Sequence, residues 1–225
     1  MAQLHVLMGA DEIRARPAVR KIGLADLKDA LRGGLADFSA MPSHAVFLCL
    51  IYPIVGLLLA RLTLGYDILP LLFPLASGFA LVGPIAAVGL YEMSRRREQG
   101  IAISWADAFG VVRAPAFGAI LVLGLLLLMI FGLWLLVAAT LYDVTLGPQP
   151  PASIGSFARD VLTTGAGWAM IVFGVGIGFL FAVLVLTISV VSFPLLLDRD
   201  VGLGVAVWTS IRCVAANPGP MAAWD

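Results

Sequence analysis

Charge is scarce along most of this chain, and histidine and cysteine are scarcer still. Only 12% of the 225 residues are Asp, Glu, Lys or Arg, against about a quarter in an ordinary soluble domain. By contrast 61% are hydrophobic, and mean hydropathy reaches +1.02. An ordinary globular chain is excluded, and the sequence reads as a membrane protein. The 14 basic and 14 acidic residues cancel, so nothing in the charge favours a nucleic-acid partner. The two histidines are too few to build a metal or haem site. His5 sits in the N-terminal tail, and His44 opens the first apolar stretch, where a polar-tipped ring suits the interface. Cys49 lies in an apolar tract and Cys213 in a segment placed on the cytoplasmic side, so no disulfide is expected between them. No Ser/His/Asp or Cys/His set can be assembled. The reading therefore assigns no catalytic, cofactor-binding or metal residue and expects no enzyme. The N-terminus lacks a basic region ahead of an apolar core and a small-residue cleavage site, so no signal peptide is expected.

What the chain has in abundance is apolar length. A hydrocarbon core about 30 Å thick needs roughly 20 helical residues at about 1.5 Å each. Four stretches meet that need: about 45–64, 68–91, 116–141 and 165–197. The first ends near Arg61, which can snorkel, and the second closes at Glu92 with Arg95, Arg96 and Arg97. The fourth is over-long and has to tilt, kink at Pro194 or begin in the interface. The expected fold is all-α, a polytopic transmembrane helical bundle of four complete spans. No span carries an ionisable residue in its central part, which weighs against a proton- or ion-coupled carrier.

Positive charge sets the orientation. Arg14, Arg16, Arg20, Lys21, Lys28 and Arg32 precede the first span, Arg95, Arg96, Arg97 and Arg113 lie between the second and third, and Arg199 and Arg212 follow the fourth. Only Arg61 and Arg159 fall on the other side. Short loops rich in Lys and Arg stay cytoplasmic, so the N-terminus is expected inside and the 143–164 loop, with Gly147-Pro148-Gln149-Pro150-Pro151 as a stiff crossing, outside. Residues 1–18 form a flexible cytoplasmic tail in this reading, and 19–225 a single integral membrane domain of a bacterial inner membrane.

Each cytoplasmic segment before a span carries an amphipathic stretch that ends in proline. Trp105, Ala108, Phe109 and Val112 form an apolar stripe against Ser104, Asp107 and Arg113, with Pro115 ten residues after the tryptophan. Trp208, Ile211 and Val214 recur against Thr209, Ser210 and Arg212, with Pro218 again ten residues on. The first instance is looser: Leu24, Leu27, Leu31, Leu35 and Phe38 make the stripe, Pro42 ends it, and Gly33-Gly34 is expected to break it. Any cytoplasmic linker between spans can look amphipathic, but three matches argue for a parallel repeat of interfacial helix plus two-span hairpin. In that repeat the third unit would be truncated after 218, or its last residues would dock on the surface. Trp105, Phe109, Trp208, Arg95, Arg96 and Arg97 are the expected interfacial anchors, and the arginine cluster could also hold anionic headgroups.

Val19 to Lys28, then Gly33, Gly34, Leu35, Ala36, Asp37 and Phe38, then Gly83 and Pro84 ahead of Gly89, Leu90, Tyr91 and Glu92, form a recognisable set. With Trp105 to Ala108, and with Asn217, Pro218, Gly219, Pro220, Met221 and Trp224, they resemble the DUF2189 family of bacterial predicted integral membrane proteins over about 19–225. The resemblance implies a membrane domain without an established function. Some relatives carry a cytochrome c oxidase label, which implies at most an association with a respiratory oxidase. Family members continue past the equivalent of Trp224 through two further spans to a His-bearing tail, and this sequence departs from the pattern there.

Small residues at four-residue spacing complete the reading. Gly174 with Gly178, Gly83 with Ala87 and Gly56 with Ala60 let helices approach closely, either within the bundle or against a partner's helix. Pro53, Pro70, Pro74, Pro84 and Pro194 bend spans, and no polar group accompanies them, so shaping of the bundle is expected. The leading expectation is a non-enzymatic accessory or assembly protein that packs in the bilayer against a larger membrane complex. The rival is a carrier or scramblase for lipid or apolar solutes. The topology has a direct test. In a cysteine-free background, Gln149→Cys should react with a membrane-impermeant maleimide in intact cells, and Arg212→Cys only after permeabilisation. The opposite pattern would invert the map.

Overall fold

An amide buried in hydrocarbon has no water to bond, so a chain of this composition has to satisfy its backbone within its own segments. The computed structural model describes residues 17–40, 58, 69–79, 83–101, 104 and 110–224, and every regular element among them is helical. They are α1 (Leu24–Ala40), a 3-10 turn (Leu69–Leu71), α2 (Leu72–Phe79), α3 (Gly83–Glu98), α4 (Phe117–Thr145), α5 (Ile154–Thr163), α6 (Gly165–Ser189), α7 (Ser192–Asp198), α8 (Gly202–Ala216) and α9 (Pro218–Trp224). Apart from Leu58, the expected span at 45–64 lies outside the described residues. So do His5, His44, Gly56, Ala60, Trp105 and Phe109.

The chain divides into two compact units, with boundaries after the first residue of α3 and inside α4 and α6. The first comprises Met1–Leu48, Pro84–Leu126 and Val185–Asp225, and the second Cys49–Gly83 and Leu127–Leu184.

Among the described residues, two helices are long and apolar enough to cross a membrane. α4 has 29 residues, about 43 Å of helix, and its most apolar stretch reaches a mean hydropathy of 3.0. The stretch Gly165–Asp198, which holds α6 and α7, reaches 2.8. A core helix of a soluble protein would be mostly covered, yet only 6% of the apolar window in this stretch is buried. Val172, Phe173, Phe179 and Leu180 all stand exposed along α6. That surface is stable only in an apolar medium.

The over-long fourth stretch does not kink at Pro194 itself. α6 ends at Ser189 and α7 starts at Ser192, so Pro194 occupies the first turn of α7, where its missing N–H costs nothing. The break upstream is bridged by a side chain, for Ser210 Oγ accepts from Val191 N at 3.3 Å. The second expected stretch, 68–91, is described as α2 with 8 residues and α3 with 16, and α3 runs on past Tyr91 to Glu98. Pro74 and Pro84 again sit in first turns.

One amphipathic expectation needs correction. α1 continues through Gly33-Gly34 without a break. Its start is secured by Asp26, which accepts from Gly23 N at 2.7 Å, and its C-terminal end is tied by Asp37 as described below, which together offset roughly 1 kcal/mol per glycine. In α8 the polar side faces inward: Thr209 is 7% and Ser210 0% exposed, while Trp208 is 53% exposed. Small hydroxyl-bearing residues allow close approach to α7, and Thr209 Oγ1 donates its proton within the helix to Val205 O. Finally, residues 110–113 form a 3-10 turn, and the preceding Trp105 to Phe109 lie outside the described residues.

The loop 143–164 holds a helix that the stiff-crossing reading missed. Ser153 and Ser156 form a capping box at the start of α5, and Ile154, Phe157 and Val161 recur at helical spacing. Tyr142 meets Phe157 at a ring separation of 6.3 Å and donates its hydroxyl to Gln149 O at 2.7 Å. Thr164 ends α5 and caps α6 by accepting from Gly167 N at 2.9 Å. A Cβ on Gly167 would lie 2.3 Å from the carbonyl oxygens of Asp160 and Val161. Backbone cannot yield there, so Gly167→Ala should lower the unfolding midpoint in detergent by the equivalent of about 2 kcal/mol. Gly132→Ala, with nothing within 4 Å, should raise stability by about 0.5–1 kcal/mol. Equal effects at the two positions would contradict the packing at this corner.

Candidate functional site

Among the described residues, one charged and one apolar place gather side chains with chemical potential. The charged one grows from the C-terminal half of α3. Glu92 is 2% exposed. Arg95 presents its fork to it, Nε to Oε2 at 2.9 Å and Nη2 to Oε1 at 3.1 Å, and Arg96 Nε donates to Oε1 at 2.8 Å. Spacings of three and four residues put both guanidinium groups on the carboxylate's own face of the helix. A buried carboxylate with two arginines contributes little net stability, but it fixes where those arginines stand. Arg96 also lies against Gly110, where an added Cβ would come within 2.7 Å of its Nη2.

Beside them a cleft of about 360 Å³ is lined by Glu92, Arg95, Arg96, Gly110 and Arg113, then by Ala114, Pro115 and Ala116 at the start of α4, and by Leu196 to Asp200 at the end of α7. Arg113 is exposed, and Arg199 pairs with Asp198 at 3.3 Å. The third member of the arginine triplet turns elsewhere. Arg97 Nη1 pairs with Asp37 of α1, to which Ser94 Oγ also donates, so α1 is clasped to α3. A second clasp holds the segment before α1: Asn217 Nδ2 donates to Arg20 O at 3.0 Å and its Oδ1 accepts from Ile22 N at 2.8 Å. Near this clasp burial pushes the Cys213 thiol up, with an opposing hydrogen bond from Asn217, so the group is neutral at neutral pH.

The apolar place is a groove of about 260 Å³ in the second unit, lined by Phe73, Ser77 and Gly78 of α2, Trp134 of α4, and Gly174, Val175, Gly178, Phe179 and Ala182 of α6. Trp134 is its centre. The indole N–H donates to Pro74 O at 3.0 Å, and the ring stands 5.5 Å from that of Phe181. A Cβ on Gly178 would lie 3.1 Å from Trp134, one on Gly174 3.5 Å from Leu141, and one on Gly78 2.4 Å from Phe131. The glycines are thus where α2 and α6 approach the large side chains of α4.

Of the small-residue pairs read from the sequence, Gly174 and Gly178 face α4 together, whereas Gly83 and Ala87 lie on α3 near its start. Among the expected anchors, Arg95 and Arg96 line the cleft, Arg97 is taken by Asp37, and Trp208 projects outward. Trp134 and the clasp roles of Asp37 and Asn217 were not singled out. A tryptophan within an otherwise aliphatic span was the available signal for the first, since its N–H needs an acceptor there.

The family model for a predicted integral membrane protein, DUF2189, matches residues 72–198, more than half of the chain. The chain belongs to the DUF2189 family. The matched stretch runs from α2 to α7 and so contains the lining of the groove and all of the cleft except Arg199 and Asp200, while α1, α8 and α9 lie beyond it. No curated protein and no solved structure matches the chain.

Removing the carboxylate would leave two guanidinium groups without their partner, each only about a third exposed or less. Glu92→Gln in this DUF2189 protein should therefore cost about 2 kcal/mol, below the range for fully buried pairs because the arginines can rehydrate. Thermal unfolding in detergent measures it, and a midpoint equal to wild type would show that the pair does not form.

Proposed function

We propose that this DUF2189 protein is a non-enzymatic accessory or assembly subunit of a bacterial inner membrane, packing against a larger membrane complex. The observation that carries the reading is the bareness of α6 and its continuation, 6% buried over the apolar window. The glycines of α6 divide the helix into two faces. Gly174 and Gly178 turn toward α4, while Gly176 has nothing within 4 Å and is flanked by exposed Val172 and Leu180. A small residue between larger apolar ones on an open face suits a second helix arriving from outside the chain. A respiratory oxidase is the candidate complex, through the label that some relatives carry. The same reading holds that the chain crosses the bilayer four times with its N-terminus in the cytoplasm, in parallel two-span repeats preceded by interfacial helices. The twelve-to-two distribution of Lys and Arg supports the orientation.

The groove beside Trp134 favours a second reading, a carrier or scramblase for lipid or apolar solutes. It is apolar and open, and glycines line it. Liposomes containing only this protein should then move a fluorescent lipid between leaflets, and inert liposomes would remove that reading.

For the accessory role, extraction of the native membrane into lipid nanodiscs should recover the chain together with a companion membrane protein. Gly176→Leu should reduce the companion about tenfold without changing the thermal midpoint of the chain itself, because the added side chain meets nothing within it. A chain recovered alone under several gentle conditions would end the proposal.

A further inference from the structure

The cleft at the end of α3 has features that neither helix packing nor topology requires. Its arginines are held ready by a carboxylate beneath them. With Nε and Nη2 bonded to Glu92, Arg95 keeps its Nη1 donors for something else. Arg113 lines the same cleft, is exposed, and has no acidic partner among the described residues. Two guanidinium groups around a cavity of about 360 Å³ match the fork geometry by which arginine takes phosphate oxygens. The cleft also contains Ala114, Pro115 and Ala116, which lead directly into α4. The positive end of that 29-residue helix adds to the same field.

From this geometry we infer that the cleft binds the phosphodiester of a glycerophospholipid headgroup. Charge and position both select that chemistry. The lining sets Arg95, Arg96, Arg113 and Arg199 against Glu92, Asp198 and Asp200, one positive charge in excess, so a singly charged diester is favoured over a doubly charged free phosphate or monoester. The apolar run of α4 begins at Phe117 and that of α6 and α7 ends at Asp198. A headgroup in the cleft would therefore have its acyl chains beside apolar helix surface. Glu92 acts as a positioning residue, which explains a buried acid that contributes little to stability on its own. The inference does not depend on a partner complex.

The test uses the full chain purified in a mild detergent and followed by native mass spectrometry as lipids are added. Wild type should retain phosphatidylglycerol and phosphatidylethanolamine but not diacylglycerol, which has the same chains and no phosphate. Arg113→Gln, at an exposed position, should lower retention about fivefold to tenfold while leaving the thermal midpoint unchanged. Arg113→Lys should recover part of the loss. Equal retention of diacylglycerol, or full retention by Arg113→Gln with Arg95→Gln also silent, would overturn the site. Displacement of the phospholipid by equimolar inorganic phosphate would assign the cleft to a free anion and overturn the lipid.

Discussion

A peptide group in the middle of a lipid bilayer has no solvent to turn to, and most of what this chain does follows from that. Helix is the only local answer available to a single chain segment without a closed barrel, and the described residues accept it wherever they form regular structure. Side-chain hydroxyls obey the same rule. Thr140 donates to Leu136 O, Ser189 to Val185 O and Ser192 to Ile188 O, each at 2.9 Å or less. These three hydroxyls are therefore satisfied by the preceding turn of their own helix. Where the helix does break, between Ser189 and Ser192, Ser210 of α8 supplies the acceptor that the ladder no longer can. A serine in a segment that looks like an ordinary amphipathic linker is there because a backbone amide on another element needs it.

The constraint inverts at the charged end of α3. There the polar groups are numerous, and the chain uses them to fasten segments that would otherwise lie loose on a surface. Asp37 joins α1 to α3, and Asn217 joins the segment before α1 to the end of α8. These clasps are side chain to side chain or side chain to backbone, and they leave the apolar stripe of α1 uncovered: Leu24, Leu31 and Leu35 are each more than 60% exposed. A helix pinned by its polar edge with its apolar edge free has the arrangement expected of one lying at a lipid surface.

Composition made the membrane class legible, because an excess of apolar residues with charge confined to short segments has few other physical explanations. Apolar length made α4 and the α6–α7 stretch legible for the same reason. The inner detail was harder to read, and particular residues show why. Gly33-Gly34 reads as a helix break by propensity, but propensity is a local term of roughly 1 kcal/mol per residue, and the contacts of Asp26 and Asp37 outweigh it. Thr209 and Ser210 read only as the polar side opposite Trp208, and periodicity could not tell that they pack inward, because in an apolar surround small hydroxyl residues are good packing surfaces. α5 was hidden by its prolines. The run Pro148 to Pro151 draws attention to stiffness, while the capping pair Ser153 and Ser156 that starts a helix just after it is a weaker signal of two hydroxyls.

The site was legible as charge and illegible as geometry. Four adjacent or near-adjacent residues, Glu92, Arg95, Arg96 and Arg97, read as an interfacial stop, and helical spacing alone puts Glu92 within reach of the first two. What spacing could not give is the division of labour among the arginines. Arg97 is one residue further round the helix, about 100° from Arg96, and that rotation is enough to send it to Asp37 instead. Arg113 is 16 positions from Arg97 and reads as one more positive residue in a cytoplasmic loop. It enters the cleft because the 3-10 turn at 110–113 brings Gly110 against Arg96, where an added Cβ would press on the guanidinium and shift it. A topology anchor has no use for such an approach, since any cation near the headgroups would serve. A cleft that places one glycine under an arginine and one buried carboxylate beneath two of them is organised around a bound anion, and the bilayer supplies phosphates at that depth in every leaflet.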